Sequence, residues 1–357
     1  MLTIDGSQGE GGGQVLRTAL ALSLVTGQPF HIRRIRAGRG NPGLQRQHLT
    51  AVQAAAAVGH ADVRGAQLHS SDLTFVPGEV TAGEYSFAVG TAGSATLVLQ
   101  TVLPPLLRAT GPSRLTLSGG THNMQAPPFD FLEKTFAPTV NRLARVSLDA
   151  APAPASGEPR VPVIEVRLIH PGFYPAGGGE FVATITPPAQ WQPMELLERG
   201  PCGGQRARAL VARLPAEIAR RELRVIQAQL GWLDAELLVE EIGDSAGPGN
   251  VVIIELSYER VTEVVTAFGA RGVPAEAVAA NAVERTQRYL ASDAPVGEHL
   301  ADQLLLPLSL AAGGTFRAVA LTPHATTNID VIRMFLDAEI ATQREDANSW
   351  RVTVSTK

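Results

Sequence analysis

The sequence predicts an α+β fold of three tandem βαβαββ-type repeats, with a smaller α/β domain inserted in the third repeat. Two observations support this prediction. A fixed order of strand, Gly-rich loop, helix, strand, Gly/Pro turn and helix occurs twice before residue 144 and starts again near residue 163. The helix of the third copy comes only at residue 300, after a segment that has helix and strand patterns of its own. We therefore expect sheets with helices on one face.

The first two repeats follow from hydrophobic periodicity and turn residues. The first is predicted as strand 2–5, Gly-rich loop 9–13, helix 14–26, strand 30–36, turn 37–43 and helix 44–58. The second is predicted as strand 85–89, loop 90–94, helix 95–107, strand 114–118, turn 119–128 and helix 129–143. Helices that follow Gly-rich loops present free N–H groups, which favour phosphate. This architecture therefore predicts a polyanionic ligand.

The third repeat is interrupted. It is predicted as strand 163–168 and loop 172–179, then helix 300–311, strand 315–321, turn 322–328 and helix 329–336. The intervening segment is predicted as helix 215–229, strand 235–241, turn 247–250, strand 251–256 and helix 274–289, preceded by a proline-rich linker. We therefore predict a large domain, residues 1–186 and 286–357, and an inserted small α/β domain, residues 187–285.

Composition restricts the class of protein. The 357 residues carry a net charge of −4, which argues against coating long nucleic acids but permits recognition of a single terminus. The single cysteine, Cys202, favours a reducing compartment. The N-terminus lacks the pattern of a signal peptide, and the apolar run 97–107 is short and contains two prolines. We expect a cytoplasmic protein with no membrane partner.

Three consecutive glycines precede the first helix, in the sequence GEGGGQ at 9–14. They allow the backbone to approach a ligand closely, but no Walker A lysine follows, and the only lysines are Lys134 and Lys357. Phosphate charge would then be met by arginine, histidine or a metal. Glu10 would repel phosphate unless it holds a cation or a hydroxyl, so it is a candidate ligand for Mg²⁺ or Mn²⁺; the alternative is a solvated loop glutamate.

A strongly basic region covers residues 31–48, with five arginines, two histidines and no acidic residue. Within it, the sequence RAGRGNPGLQRQH places Arg36 and Arg39 before a second helix start, and Arg46 and His48 in its first turns. This density of donors predicts phosphate binding, against the alternative of a solvated surface.

Histidine occurs in corresponding turns of the second and third repeats, in GGTHN at 119–123 and in TPHATTN at 322–328. A neutral imidazole can attack phosphorus, and the resulting phosphoramidate can pass its group onward. By spacing alone His324 is a candidate nucleophile, with a capping or packing role as the alternative.

Five segments in one order now carry a resemblance: 10–14, 39–48, 119–128, 172–179 (GFYPAGGG) and 324–329. Together they resemble the RNA 3′-terminal phosphate cyclase family over nearly the whole chain. The resemblance implies a fold in which each repeat is like the C-terminal domain of a bacterial translation initiation factor. It also implies RNA with a 3′-terminal phosphate and ATP as partners, with a homodimer as a candidate assembly.

The resemblance implies a three-step reaction. His324 would take AMP from ATP with loss of pyrophosphate, AMP would pass to the RNA 3′-phosphate, and the neighbouring 2′-hydroxyl would displace AMP to leave a 2′,3′-cyclic phosphate. Glu10 would bind the metal near the triphosphate. The remaining residues expected to bind ATP or phosphate are Gln14, Arg17, Arg36, Arg39, His48, Gln100, Pro127, His299, Asp302, Gln303 and Asn328.

Two positions depart from the family pattern, and two other functions compete. His299 stands where an aromatic ring against adenine is expected, and His170-Pro171 replaces a basic residue before Gly172.

One rival is a cyclase-like ribosome-assembly factor without catalysis, which should lack the nucleophile at His324. The other is an enolpyruvyl transferase on a similar repeat fold, which would need a lysine-rich phosphate site.

Overall fold

The computed structural model of the chain describes residues 1–145 and 162–356. Three of its four-stranded sheets share one strand order and one pattern of directions. In each of the three, the first two strands are parallel, and the fourth strand lies antiparallel between the second and the third. The predicted α+β class is confirmed.

The first unit contains β1 (Leu2–Asp5), α1 (Gln14–Thr26), β2 (Phe30–Arg33), α2 (Arg46–Val58), β3 (Asp62–Arg64) and β4 (Leu73–Val76). Helix α1 has the predicted bounds. Strand β2 ends three residues early because Arg34 and Arg36 adopt left-handed backbone angles, with φ of 56° and 54°. Helix α2 starts at Arg46 rather than residue 44, because Gln45 is extended and caps it.

The second unit contains β5 (Glu84–Ala88), α3 (Ala95–Leu106), β6 (Ser113–Gly119), α4 (Phe129–Phe131), α5 (Ala137–Asn141), β7 (Ala144–Arg145), β8 (Ile164–His170) and β9 (Gly179–Ile185). The predicted helix 129–143 is interrupted by a π-helical turn at Leu132–Phe136. Pro138, which has no N–H to donate, follows this turn.

The start of the third repeat was predicted wrongly. Strand β8 pairs with β9 and completes the second sheet, so the loop at 172–179 is the connection between these two strands. After β10 (Gln190–Trp191), which pairs with β7, the third unit begins with β11 (Met194–Leu196). A three-residue strand gives too short a pattern for recognition from sequence.

The fourth sheet belongs to the intervening segment. It has the order β13-β12-β14-β15 and is accompanied by two helices. Its elements are β12 (Cys202–Ala212), α6 (Ala216–Leu230), β13 (Leu237–Ile242), β14 (Gly249–Tyr258), β15 (Thr262–Phe268) and α7 (Ala275–Leu290). Residues such as Ile226, Trp232 and Val283 form a hydrophobic cluster on one side of this sheet, whereas Leu210 and Ile253 of the same sheet belong to the larger cluster that the other three sheets share.

The third unit continues with α8 (Glu298–Leu310), β16 (Gly314–Ala318), α9 (Pro323–Phe335), β17 (Ala338–Arg344) and β18 (Trp350–Thr356). Strand β16 pairs in parallel with β11, which closes this sheet across the intervening segment. Within the described residues, no helix combines the length and apolarity needed to cross a bilayer.

Candidate active site

A cavity of about 910 Å³ lies among α1, α3, α8 and α9, and β15 and α7 form part of its wall. Its volume is in the range of small-molecule sites, roughly 300–1,000 Å³. All thirteen residues predicted for the site line it: Glu10, Gln14, Arg17, Arg36, Arg39, His48, Gln100, Pro127, His299, Asp302, Gln303, His324 and Asn328.

Helix α9 presents His324 to this cavity. The sequence placed His324 in a turn before a helix starting at residue 329, but the helix starts at Pro323, so that prediction was wrong. Proline is favoured in the first helical position, and the Thr322 hydroxyl accepts a hydrogen bond from the Ala325 N–H. His324 therefore lies in the first turn, with its side chain 50% exposed.

Gln14 orients the imidazole of His324. The Gln14 Nε2 group donates to Asp302 Oδ2 over 3.2 Å, which turns the amide oxygen towards His324. That oxygen lies 2.8 Å from His324 Nδ1. Because a carbonyl oxygen only accepts, Nδ1 carries the proton, and in the neutral ring the lone pair is on Nε2. This is the tautomer that a nucleophilic Nε2 requires.

Asp302 and Arg17 are ionisable groups within the cavity wall. Burial raises the pKa of Asp302 to about 7, although the hydrogen bond from Gln14 and the charge of Arg17 oppose the shift. Burial also lowers the pKa of Arg17 to about 10, partly offset by Glu10 and Asp302. Arg17 therefore stays cationic at neutral pH.

The Gly-rich loop is fastened to α9. Glu10 N–H donates to the Thr327 hydroxyl over 3.0 Å. Gly9 has φ +62°, and a Cβ at this position would lie 2.1 Å from Thr327 Oγ1. The next residue of α9, Asn328, accepts from the Thr18 hydroxyl over 2.8 Å and donates to the Asp302 carbonyl over 2.9 Å. Asn328 thereby joins α1, α8 and α9.

Glu10 lies between Arg39 and His324. Its Oε2 forms an ion pair with Arg39, and its Oε1 is 3.5 Å from His324 Nδ1. Among residues 1–145 and 162–356, no group of three or more His, Cys, Asp or Glu side chains could hold a metal ion. Mg²⁺ commonly uses only one or two protein carboxylates together with substrate phosphates. Glu10 could serve as such a single carboxylate ligand, whereas the described residues do not provide a metal site made of protein ligands alone.

Arg17, Arg36 and His48 form the basic end of the cavity. Burial, reinforced by the charges of Arg17 and Arg36, lowers the pKa of His48 to about 3, so its ring is neutral. Its Nδ1 accepts from the Gln45 N–H, which leaves Nε2 as a donor beside Gly13. Arg36 donates to the Gly43 carbonyl over 3.0 Å, which stabilises the loop between β2 and α2.

The other end of the cavity contains the predicted nucleotide-pocket residues. Gln100 on α3 donates to Gln303 on α8, and the Pro127 carbonyl accepts from the Thr96 hydroxyl. Sequence reasoning missed Arg108, Arg285 and the apolar part of this wall, which includes Leu103, Leu107, Phe131, Phe136, Trp191 and Phe268. These residues belong to no motif, so only the folded chain brings them together.

His122 does not belong to the cavity. It is 2% exposed, its Nε2 bonds to Asp130 Oδ2 over 2.8 Å, and its ring stacks on Phe173. Although burial opposes ionisation, His122 and Arg208 hold the pKa of Asp130 well below its usual range. His122, whose turn was matched with that of His324, therefore has a structural role.

The fold is α+β, and the cavity combines a half-exposed histidine with several arginines. The family model described as RNA 3′-terminal phosphate cyclase matches residues 8–342. Proteins named RNA 3′-terminal phosphate cyclase are similar over almost the full length. That of Koribacter versatilis is 52% identical, covering 100% of this chain and 96% of the relative. Those of Ralstonia nicotianae and Ectopseudomonas mendocina are 50% and 45% identical, each covering at least 97% of both chains.

The chain therefore belongs to the RNA 3′-terminal phosphate cyclase family. This confirms the predicted enzyme class, a ligase-type cyclase of RNA processing. It also removes the enolpyruvyl transferase alternative.

Proposed function

We propose that this chain converts an RNA 3′-terminal phosphate into a 2′,3′-cyclic phosphate with ATP, through AMP bound covalently to His324. One observation carries the proposal. His324 lies half-exposed in the cavity, and Gln14 holds its Nδ1 so that Nε2 has the free lone pair. A fixed imidazole with its lone pair on Nε2, beside a basic pocket, is suited to attack phosphorus.

In the first step, Nε2 of His324 attacks the α-phosphorus of ATP, an N–P bond forms, and the bond to pyrophosphate breaks. The ring becomes cationic, and its Nδ1–H is stabilised by the Gln14 oxygen and the Glu10 carboxylate. Arg17, Arg36, Arg39 and His48 bind phosphate groups, which favours the departure of pyrophosphate.

In the second step, an oxygen of the RNA 3′-phosphate attacks the phosphorus of AMP, and the N–P bond breaks with return of the electron pair to Nε2. In the third step, the 2′-hydroxyl oxygen attacks the RNA phosphorus, its proton passes to solvent, and AMP leaves. A phosphate monoester is a poor electrophile without such a leaving group, which explains the use of ATP.

The remaining predicted residues have supporting roles. Glu10 would hold Mg²⁺ or Mn²⁺ together with the triphosphate, and the ion supplies charge neutralisation when bound. Pro127, His299, Gln100 and Gln303 would contact the nucleoside. Asp302 and Asn328 would keep Gln14 and the three helices around it in place.

We also propose the predicted organisation of three repeats with an insertion. The shared strand order of three sheets and the hydrophobic cluster on one side of the fourth support it. Because β11 pairs with β16, the insertion would start after Leu196 instead of at residue 187. A cytoplasmic location and a homodimer stay predictions.

The test uses an oligoribonucleotide with a 3′-phosphate, ATP and Mg²⁺ or Mn²⁺. We expect one phosphatase-resistant 2′,3′-cyclic end, one AMP and one pyrophosphate per turnover. The matched substrate with a terminal 2′-deoxynucleotide should stop at the RNA adenylate because it lacks the attacking hydroxyl. Binding of RNA without release of AMP would instead support the non-catalytic alternative.

A further inference from the structure

Arg285 connects the intervening segment to the candidate nucleotide pocket. It lies on α7, lines the cavity, and donates from Nη1 to the Thr266 carbonyl of β15 over 2.7 Å. Its Nη2 is within hydrogen-bond distance of Nε2 of His299, in the first turn of α8. The guanidinium is therefore fixed at one side by a strand and at the other by the ring of His299.

This contact determines the state of the His299 ring. Arginine has no acceptor, so its N–H donates and His299 Nε2 must carry the lone pair. The ring is then neutral, with its proton on Nδ1. Three charged or titratable groups act on it: Arg285 from α7, Glu298 from its own helix and His324 from α9. Desolvation and Arg285 lower the pKa of His299, against the opposing charge of Glu298.

The surroundings of Arg285 keep it in place. Glu298 Oε1 lies 3.5 Å from its Nη2, within ion-pair distance. Glu263 of β15 is 5% exposed and sits tightly against Gly297 at the start of α8. Burial raises the pKa of Glu263 to about 8, so it is mainly neutral at pH 7 and leaves Glu298 as the counter-ion. The His299 side chain itself is 54% exposed, with its surface available to a ligand in the cavity.

We propose that Arg285 is a positioning residue that holds His299 as a fixed, neutral ring against the nucleobase of ATP. This inference rests on the proposed function, because it assumes that ATP occupies the cavity. A neutral imidazole offers a flat face for a base, in the position where the family pattern has an aromatic ring. The intervening segment thereby contributes to nucleotide recognition.

The experiment measures covalent adenylation of the protein without RNA, as a function of ATP concentration at pH 6 and pH 8. The test variant is Arg285→Gln. The control is Arg288→Gln, on the same helix, where the arginine pairs with Glu284 and does not line the cavity in the described part of the chain. Each KM is divided by that of the unaltered protein at the same pH. The division removes the effect on KM of protons binding to ATP itself, which is the same for every variant.

For Arg285→Gln we expect a KM ratio of about tenfold at pH 6 and about threefold at pH 8, with kcat within about twofold. Without Arg285 the ring loses the donor that holds Nε2 and the positive charge that opposes its protonation, so it protonates more readily as pH falls and is drawn to Glu298, 3.6 Å from Nε2. Arg288→Gln should change neither value.

A second variant, His299→Phe, keeps the proposal testable independently of folding effects. A phenyl ring does not titrate, so adding Arg285→Gln to it should produce no further, pH-dependent rise in KM. An equal rise in both backgrounds, or a ratio independent of pH, would overturn the proposal while leaving adenylation at His324 intact. Failure of the unaltered protein to form any adduct would instead overturn the proposed function and this inference with it.

Discussion

His324 and Gln14 are joined by a contact of 2.8 Å between Nδ1 and the amide oxygen. Gln14 cannot rotate its amide without losing its hydrogen bond to Asp302. A residue at the start of α1 thus selects the tautomer of a residue at the start of α9. The tautomer of the nucleophile depends on contacts between distant parts of the chain.

Gln14→Met should remove the acceptor while keeping similar volume. We expect the rate of protein adenylation to fall about 10- to 100-fold, because Nδ1 loses the group that stabilises its proton as the ring becomes cationic. Single-turnover measurement at saturating ATP isolates this step. Gln53→Met, on the exposed side of α2, is the control for the same substitution. Equal rates in both variants would remove Gln14 from the mechanism.

Gly9→Ala should disrupt the Gly-rich loop through a specific collision. A Cβ at Gly9 meets Thr327 Oγ1 at 2.1 Å, so the bond that positions Glu10 breaks and activity falls. Gly27 also has positive φ, but a Cβ there meets nothing within 4 Å. Gly27→Ala should therefore cost only about 1 kcal/mol of stability and keep activity. Denaturation and adenylation assays on both variants provide the comparison; similar activity losses would contradict it.

Arg39→Ala should reduce turnover more than stability. Arg39 pairs with Glu10 inside the cavity, whereas Arg34 forms a similar pair with Asp5 and is 66% exposed. Partly exposed ion pairs contribute about 0–1 kcal/mol, so both alanine variants should unfold at nearly the same denaturant concentration. Only Arg39→Ala should lower kcat/KM, by about tenfold or more, through loss of phosphate binding. A matching loss in Arg34→Ala would place the phosphate site elsewhere.

Asp302→Asn should change how stability depends on pH. The pKa of Asp302 is raised by burial to about 7, against about 3.9 for an unfolded aspartate. Its stabilising contribution is therefore present below about pH 4 and is lost as pH rises to 7, since the folded state binds the extra proton. Asparagine does not titrate. The free energy of unfolding of the variant, relative to the unaltered protein, should rise by about 2.5 kcal/mol from pH 5 to pH 8. A constant difference would contradict the assignment.

Local signals and the family resemblance together predicted many of the residues that line the cavity. Motifs such as GEGGGQ at 9–14 depend on backbone chemistry within a few residues, and helix α1 was predicted with its observed bounds. The start of the third unit was not predicted correctly. Whether β8 or β11 is its first strand depends on which strands pair, and the partners are far apart in the sequence. Arg285 was missed for the same reason: its role depends on contacts with Thr266 and His299, which no local pattern encodes.

The central claim is that His324 carries AMP, and it is tested by incubating the protein with ATP labelled on the α-phosphate. We predict one acid-labile label per chain, mapped to the peptide containing His324, absent in His324→Asn and released as AMP when RNA bearing a 3′-phosphate is added. A label that persists in a folded His324→Asn protein, or that maps to another residue, would contradict the account.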